Sequence, residues 1–305
     1  MIFKISKDIK FSNFYKKMNI FSYILIFLSI LVLLIKGLNL GVDFKGGTLI
    51  EVRTENSITT IAEIRESFLK MNLGDVTVKK FGKENDYLVK IEITKSDDEN
   101  FIKSINDKLS ADLGSVVNFR RVENVGPKVS KELLRAGLLA ISLSLAAMLF
   151  YIWIRFEWQF SLGAVIALIH DVIITVGIFS FLAYEVNLSI VAAVLTIVGY
   201  SMNDTVVIFD RIRENLKKYS KISITEISDL STNQTLSRTL ITSVTTLLAL
   251  FSIYIFGGAI LKGFSFAMII GVIVGTYSSI FVATPILNYT NVNQKTVLKE
   301  DTENN

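Results

Sequence analysis

Six long apolar runs alternate with polar stretches along the chain, at residues 18–38, 133–154, 160–184, 188–209, 239–256 and 264–287. Each is about 18 residues or longer and largely uncharged, enough helix to cross a hydrocarbon core of ~30 Å. The pattern predicts a polytopic α-helical membrane protein with six transmembrane helices. The expected order is an N-terminal segment 1–17, a first helix 18–38 and a polar domain 39–132. Helices two to six follow within 133–288, with a polar connection at 210–238, and a tail 289–305 closes the chain.

The polar segment between the first two runs divides into elements. "TLIEVRT" alternates as a strand does. "TTIAEIRESFLKM" places Ile61, Ile64, Phe68 and Met71 on one helical face, and Thr60 and Glu63 have capping-box spacing. "DVTVKKF" and "YLVKIEIT" read as strands around the turn-like "GKEND". "DDENFIKSINDKL" reads as a second helix, with Ser96 and Glu99 as its capping pair and Phe101, Ile102, Ile105 and Leu109 apolar. "SVVNFRRVE" closes as a strand. The order β-α-β-β-α-β predicts a ferredoxin-like α+β domain. Lying between an outward and a returning span, it is expected outside the cytoplasm. It has no Cys or His cluster for a metal and no Gly-rich phosphate loop, and it reads as a binding or lever module.

Composition narrows the class. The 305 residues are 51% hydrophobic with a mean hydropathy of +0.49, too apolar for an ordinary soluble domain. The net charge of +4 is explained by a membrane better than by a nucleic-acid partner. Lys4, Lys7, Lys10, Lys16 and Lys17 precede the first run, and Arg211, Arg213, Lys217, Lys218 and Lys221 follow the fourth. The positive-inside rule assigns both groups to the cytoplasm, so both termini are expected there, in a multi-pass cytoplasmic (inner) membrane protein. The first run is too long for a signal-peptide core, and no small-x-small cleavage site follows "LIKGLNLGVDF". The absence of cysteine excludes disulfides and thiolate chemistry. The basic, then polar, 210–238 is expected to hold a helix along the membrane surface, with a plain topogenic charge cluster as the alternative.

Ionisable residues inside spans are costly and usually face a bundle interior. Here they are His170 and Asp171 in the third run, Asp204 in the fourth and Arg238 at the entry to the fifth. The topology places His170 and Asp171 near mid-depth, and lets Asp204 and Arg238 meet in the cytoplasmic half. Burial and a neighbouring guanidinium act on a carboxylate in opposite senses, so a moving Arg238 can switch the protonation of Asp204. One charge carried across the membrane is worth roughly 2.3 kcal/mol per 100 mV, enough to bias a two-state change. The competing reading of Asn203 or Asp204 as a helix cap requires a break at residues 199–201. It would leave Val206, Val207, Ile208 and Phe209 at the interface. His170 suits a packing role or a proton relay. Asp171 adjoins it and points roughly 100° away on a helix, so it need not share that role. Gly271 and Gly275 form a GxxxG pair that permits close helix packing, and Gly199 is a further packing candidate. Gly41, Gly46 and Gly47 suit a tight joint between membrane and first strand, with Asp43 exposed at the interface.

Six stretches together resemble the SecF family of bacterial protein-export membrane proteins (SecD/SecF, resistance-nodulation-division superfamily). They are "GVDFKGGT", "VGPKVSKEL", the "HD" of the third run, "VGYSMNDTVVIFDRIREN", "NQTLSRT" and "LKGFSFAMIIGVIVGTYSSIFVATP". The resemblance implies a non-enzymatic subunit paired with SecD beside the SecYEG channel, drawing on a translocating preprotein. It implies protons as the coupling ion and no cofactor. The family's proton-transport residues fall on Asp204 in "NDTVV" and Arg238 in "TLSRT", with Asn203, His170 and Asp171 as further candidates. Three other readings stand beside it: a bracing subunit without coupling, an intramembrane aspartyl protease using Asp171 and Asp204 as a shared-proton pair, and a small-molecule exporter of the same transporter type. The last lacks room for a large pocket domain, and neither Asp has a Gly-x-Gly-Asp context.

Overall fold

The computed structural model describes residues 8–55, 59–82, 84–92, 99–219 and 221–297. In chain order, α1 (Ser12–Lys36) leads into β1 (Asn39–Leu40), a single helical turn α2 (Val42–Lys45) and β2 (Gly47–Thr54). Next come α3 (Ile61–Lys70), β3 (Val76–Lys80), β4 (Asp86–Ile91), α4 (Glu99–Leu113) and β5 (Val117–Val125). Then follow α5 (Pro127–Arg155), α6 (Trp158–Phe181), β6 (Glu185–Val186), α7 (Leu188–Lys218) and α8 (Ile224–Phe256). The last run is α9 (Gly258–Ser278), a π-helical turn Ser279–Ala283 and α10 (Thr284–Tyr289). Among the described residues six helices are long and apolar enough to cross a membrane: α1, α5, α6, α7, α8 and a composite Leu261–Tyr289. The chain divides into two compact units, one of helices and one spanning Leu40–Leu139 with Glu185–Leu188.

In the second unit four strands lie in the order β3-β4-β2-β5, each antiparallel to its neighbours. Alternation in β2 buries Ile50 and Val52 against Ile64 and Phe68 of α3 and Ile105 and Leu109 of α4. The Thr60–Glu63 capping box forms in both directions, as its spacing predicts. The Ser96–Glu99 pair lies outside the described residues. Arg53 holds the nearly buried Asp86 through two hydrogen bonds of 2.6 Å, a fork that fits a carboxylate.

The helical unit packs on small residues. α1 turns Tyr15, Ser22 and Ser29 inward, spaced by seven, so that one stripe faces the bundle. Gly177 of α6 admits Ser29: a Cβ there would lie 2.4 Å from the serine Cβ. Gly271 and Gly275 seat α9 against α7 in the same way. A Cβ on Gly271 would fall 2.3 Å from Ile197 Cγ1, and one on Gly275 2.9 Å from Ser201 Cβ. The GxxxG pair is therefore used inside the chain. Gly199 is not, since a Cβ there would meet nothing within 4 Å. Phe156, Phe160 and Phe209 close one end of the core, with Arg155 and Arg213 set 5.0 and 5.4 Å from the Phe156 ring centre.

The competing cap reading fails and one expectation changes. α7 runs unbroken through residues 199–201, so Asn203 and Asp204 cap nothing. The connection expected at 210–238 is mostly helix, because α7 continues to Lys218 and α8 starts at Ile224. The Ser223 side chain caps α8 by accepting the Glu226 N–H. The two helix ends brace each other through Arg211 Nε to Gln234 Oε1 (2.6 Å) and Asn215 Nδ2 to Ser231 Oγ (2.8 Å). Charge marks where the hydrocarbon stops and leaves the helical hydrogen bonding intact. α1 likewise begins earlier than its apolar run, where Asp229 accepts both the N–H and the hydroxyl of Ser12.

Two glycine substitutions should behave oppositely. Gly271→Leu overpacks the α7–α9 contact and should lower stability by about 1–3 kcal/mol. Gly199→Ala should leave it unchanged or raise it by up to about 1 kcal/mol, since alanine is the better helix former and meets open space. Thermal unfolding of both variants in one detergent checks the pair.

Candidate functional site

The buried faces of α6 and α7 carry the polar chemistry. Asp171 is completely buried, and Oδ2 accepts hydrogen bonds from Ser201 Oγ of α7 at 2.6 Å and Ser278 Oγ of α9 at 2.8 Å. Its Oδ1 lies 2.8 Å from Nδ1 of His170. Sequence adjacency suggested separate roles for these two residues, yet their side chains meet. The His170 ring stacks on Tyr277 with centroids 6.1 Å apart. The Tyr277 hydroxyl donates to the Met18 carbonyl (2.7 Å) and lies 2.9 Å from Ser22 Oγ of α1. Ser201 and Tyr277 were not singled out from sequence, and Ser278 stood out only as one of the small residues after the GxxxG pair. Serines are common on membrane helix faces, and no local pattern marks those that bond a distant carboxylate.

Asp204 sits three residues after Ser201 on the same side of α7. It is 3% exposed, and its Oδ2 has no hydrogen-bond partner. Arg238 is on the exposed side of α8, within electrostatic reach of Asp204. Among the described residues no ion pair joins the two. The structure thus brings Asp171 and His170 together and leaves Asp204 and Arg238 apart. Asn203 faces out of the bundle, on the side where Gly199 is open. The buried face of α8 is lined with hydroxyls: Ser228, Thr232, Thr235, Thr239 and Ser243. Of these, Ser228, Thr232 and Thr239 carry buried oxygens without partners. Among the described residues no group of three or more His, Cys, Asp or Glu is placed to hold a metal ion.

The glycine motif builds a joint within the second unit. The Gly41 N–H donates to the Val186 carbonyl at 2.8 Å, and Asp43 Oδ2 accepts the N–H of Leu188, the first residue of α7, also at 2.8 Å. A Cβ on Gly41 would fall 2.9 Å from Glu185 Oε1. Gly47, at φ +120°, would bring one within 2.5 Å of the Ile91 carbonyl oxygen. Lys90 donates to the Leu40 carbonyl (3.1 Å) and lies 3.9 Å from Glu185. Burial pushes the Lys90 ammonium below its ordinary range, and Glu185 opposes that shift. Asp43, expected to be exposed at the interface, is half-buried and caps the first N–H of α7 from a distant part of the chain.

Comparison with known proteins places these features in context. Residues 105–293 match the family model "Protein export membrane protein SecD/SecF, C-terminal", and residues 31–58 match "SecD/SecF GG Motif". The chain is 45% identical over 283 residues to the protein translocase subunit SecF of Rickettsia rickettsii, covering 92% of this chain and 91% of that protein. It is 47% identical over 288 residues to the SecF of Vibrio alginolyticus, covering 93% and 90%. Among solved structures it resembles SecDF of Thermus, a translocon-associated membrane protein, with a TM-score of 0.86 and 32% identity over 96% of this chain. A super-membrane-facing form of SecDF gives 0.71 over 99%. The chain spans only 40% and 41% of those two longer chains.

The cap at the start of α7 is directly testable. Asp43→Ala should destabilise the first turn by roughly 0.5–2 kcal/mol, whereas Asp43→Asn, an equally good cap, should retain most of the effect. Hydrogen–deuterium exchange of peptides that begin several residues before Leu188 and cover the first turn of α7 checks this. Faster exchange in the alanine variant alone is the expected result.

Proposed function

Because the chain belongs to the SecD/SecF family of protein-export membrane proteins, we propose that it couples the proton-motive force to preprotein export through Asp204. Family membership makes it a multi-pass inner-membrane accessory subunit of the Sec translocon. The coupling is our own reading. The observation that carries it is a nearly fully buried carboxylate on a continuous membrane helix, with one oxygen unpartnered. Burying a charge without a partner is expensive, so the group is poised to take a proton or a countercharge. Arg238 is the countercharge within reach, and a movement of α8 that brings it to Asp204 would expel the proton. The orphan hydroxyls of α8 give waters polar partners if that movement opens the helix contact. The relatives' structures in two forms with different similarity to this chain support a family that changes shape.

The partner in this reading is SecD, beside SecYEG and the translocating preprotein. α1, α5 and α8 bury only 11%, 11% and 17% of their apolar windows within the chain, against 50–61% for the other three spans. A membrane supplies apolar cover for such faces but no hydrogen bonds for an outward Asn203. The open Gly199 beside it suits a close-packed helix from outside the chain. Both termini are cytoplasmic in this reading, by the positive-inside rule. The domain between α1 and α5 is then extracytoplasmic and ferredoxin-like, a topology supported by its element order and the sheet order β3-β4-β2-β5. It would serve as the lever that meets the emerging polypeptide.

Asp204→Asn keeps the shape and removes the titration. Export of a secreted reporter should fall by roughly tenfold or more at normal membrane levels of the variant, in line with the loss of a proton-transfer group. Export at the parental rate would sink the coupling and leave a bracing subunit.

A further inference from the structure

We infer that Asp171 is a positioning residue for Asp204: with His170, Ser201 and Ser278 it forms a hydrogen-bond knot that fixes α7 against α6 and α9. This inference rests on the proton reading of Asp204 and gives Asp171 a different task, that of a permanent acceptor. The two carboxylates differ in their surroundings. Asp204 keeps an unpartnered oxygen. Asp171 has neighbours able to donate at both oxygens, from three side chains on three helices: His170 on α6, Ser201 on α7 and Ser278 on α9. An ionised carboxylate only accepts, so His170 donates from Nδ1 and its buried Nε2, without a partner, is the bare nitrogen. Tyr277 stacks on that ring and ties it to Met18 and Ser22, which adds α1 to the assembly.

The placement of Ser201 makes the knot bear on the site. It lies one turn from Asp204 on the same face of α7, and it packs against Gly275, where even a Cβ would intrude. Ser278 follows Gly275 by three residues on α9 and immediately precedes the π-helical turn Ser279–Ala283. Rotating or sliding α7 past α9 therefore stretches the two bonds that converge on Asp171. The knot sets the rotation of α7 and with it the direction in which Asp204 points. A small misplacement of a reacting group is costly to rate.

The chain contains a single histidine, so a 15N-histidine label in the full-length protein in lipid reports one imidazole. The parent should show Nδ1 protonated and Nε2 bare. In Asp171→Asn the amide carbonyl can still accept from both serines while the amide nitrogen donates to the histidine, so the tautomer should reverse and most export should survive. Asp171→Ala and the double variant Ser201→Ala/Ser278→Ala lose the bonds to α7, and their export should fall roughly tenfold or more. The double variant keeps the carboxylate and guards against a misfolded Asp171→Ala. An Asp171→Asn protein as inactive as Asp204→Asn would make Asp171 a carrier and overturn the proposal. So would parental export by the double serine variant, or an unchanged tautomer in Asp171→Asn. If Asp204→Asn exports normally, the proton reading fails by itself. The histidine spectrum needs no export and still decides whether the knot exists.

Discussion

A polar atom inside a hydrocarbon slab has no water to fall back on, and that constraint organises the membrane half of this protein. Each buried hydroxyl, carboxylate and ring nitrogen must find a partner in the chain, wait for one from outside, or stay unpaired at a cost of about 1–3 kcal/mol. Thr235, Thr242 and Thr245 of α8 take the cheapest solution and bond back to a carbonyl one turn earlier. Asp171 takes the most demanding one and recruits donors from three helices. Asp204 and three hydroxyls of α8 keep buried atoms unpaired. One carboxylate has partners at both oxygens and the other keeps an unpartnered oxygen, and the proposed coupling rests on that division.

Small residues make this possible. Gly177, Gly271 and Gly275 bring helices close enough for short side chains to bond across them, and Ser29, Ile197 and Ser201 in turn fill the notches they leave. Larger side chains at these positions would hold the helices apart and put Ser201 out of reach of Asp171. Packing and polar satisfaction are thus one arrangement. The same economy appears in the second unit, where Gly41 and Gly47 let the chain turn tightly enough for Asp43 to reach the first N–H of α7.

Much of this was legible in the sequence. The six apolar runs lie within or largely overlap the six long helices, because hydrophobic length is dictated by the bilayer and not by the partner helices. The alternating and helical patterns of residues 47–125 likewise fall on the strands and helices observed there, including the Thr60–Glu63 cap. Helix ends were less legible. Hydropathy stops where lipid stops, while α7 continues through "DRIREN" to Lys218 on its own hydrogen bonds. Ser223 and Glu226 carried the capping signal for α8, but it was hidden in a stretch read as connection. The buried charges were visible as charges, and their partners were not. Asp43 with Leu188, and Asp171 with Ser201 and Ser278, are joined only by the fold.

The absence of an ion pair between Asp204 and Arg238 bears on what state the molecule is in. A carboxylate and a guanidinium in direct contact inside a membrane would be held by an interaction that is strong when dry, and releasing it would require either a proton or water. Here the arginine stays on the exposed side of α8 and the carboxylate stays buried without it. Under the proposed coupling, this arrangement is the one that a protonated Asp204 would favour, since a buried charge with an unpartnered oxygen is costly. In the proposed cycle, loss of that proton would favour the approach of Arg238 on α8 and bring water to the unpaired hydroxyls of that helix. In that proposal Asp171, bonded to donors on α6, α7 and α9, is the fixed reference, and a movement of α8 has to carry or break its own ties, Ser243 to Thr276 of α9 and Ser231 to Asn215 of α7.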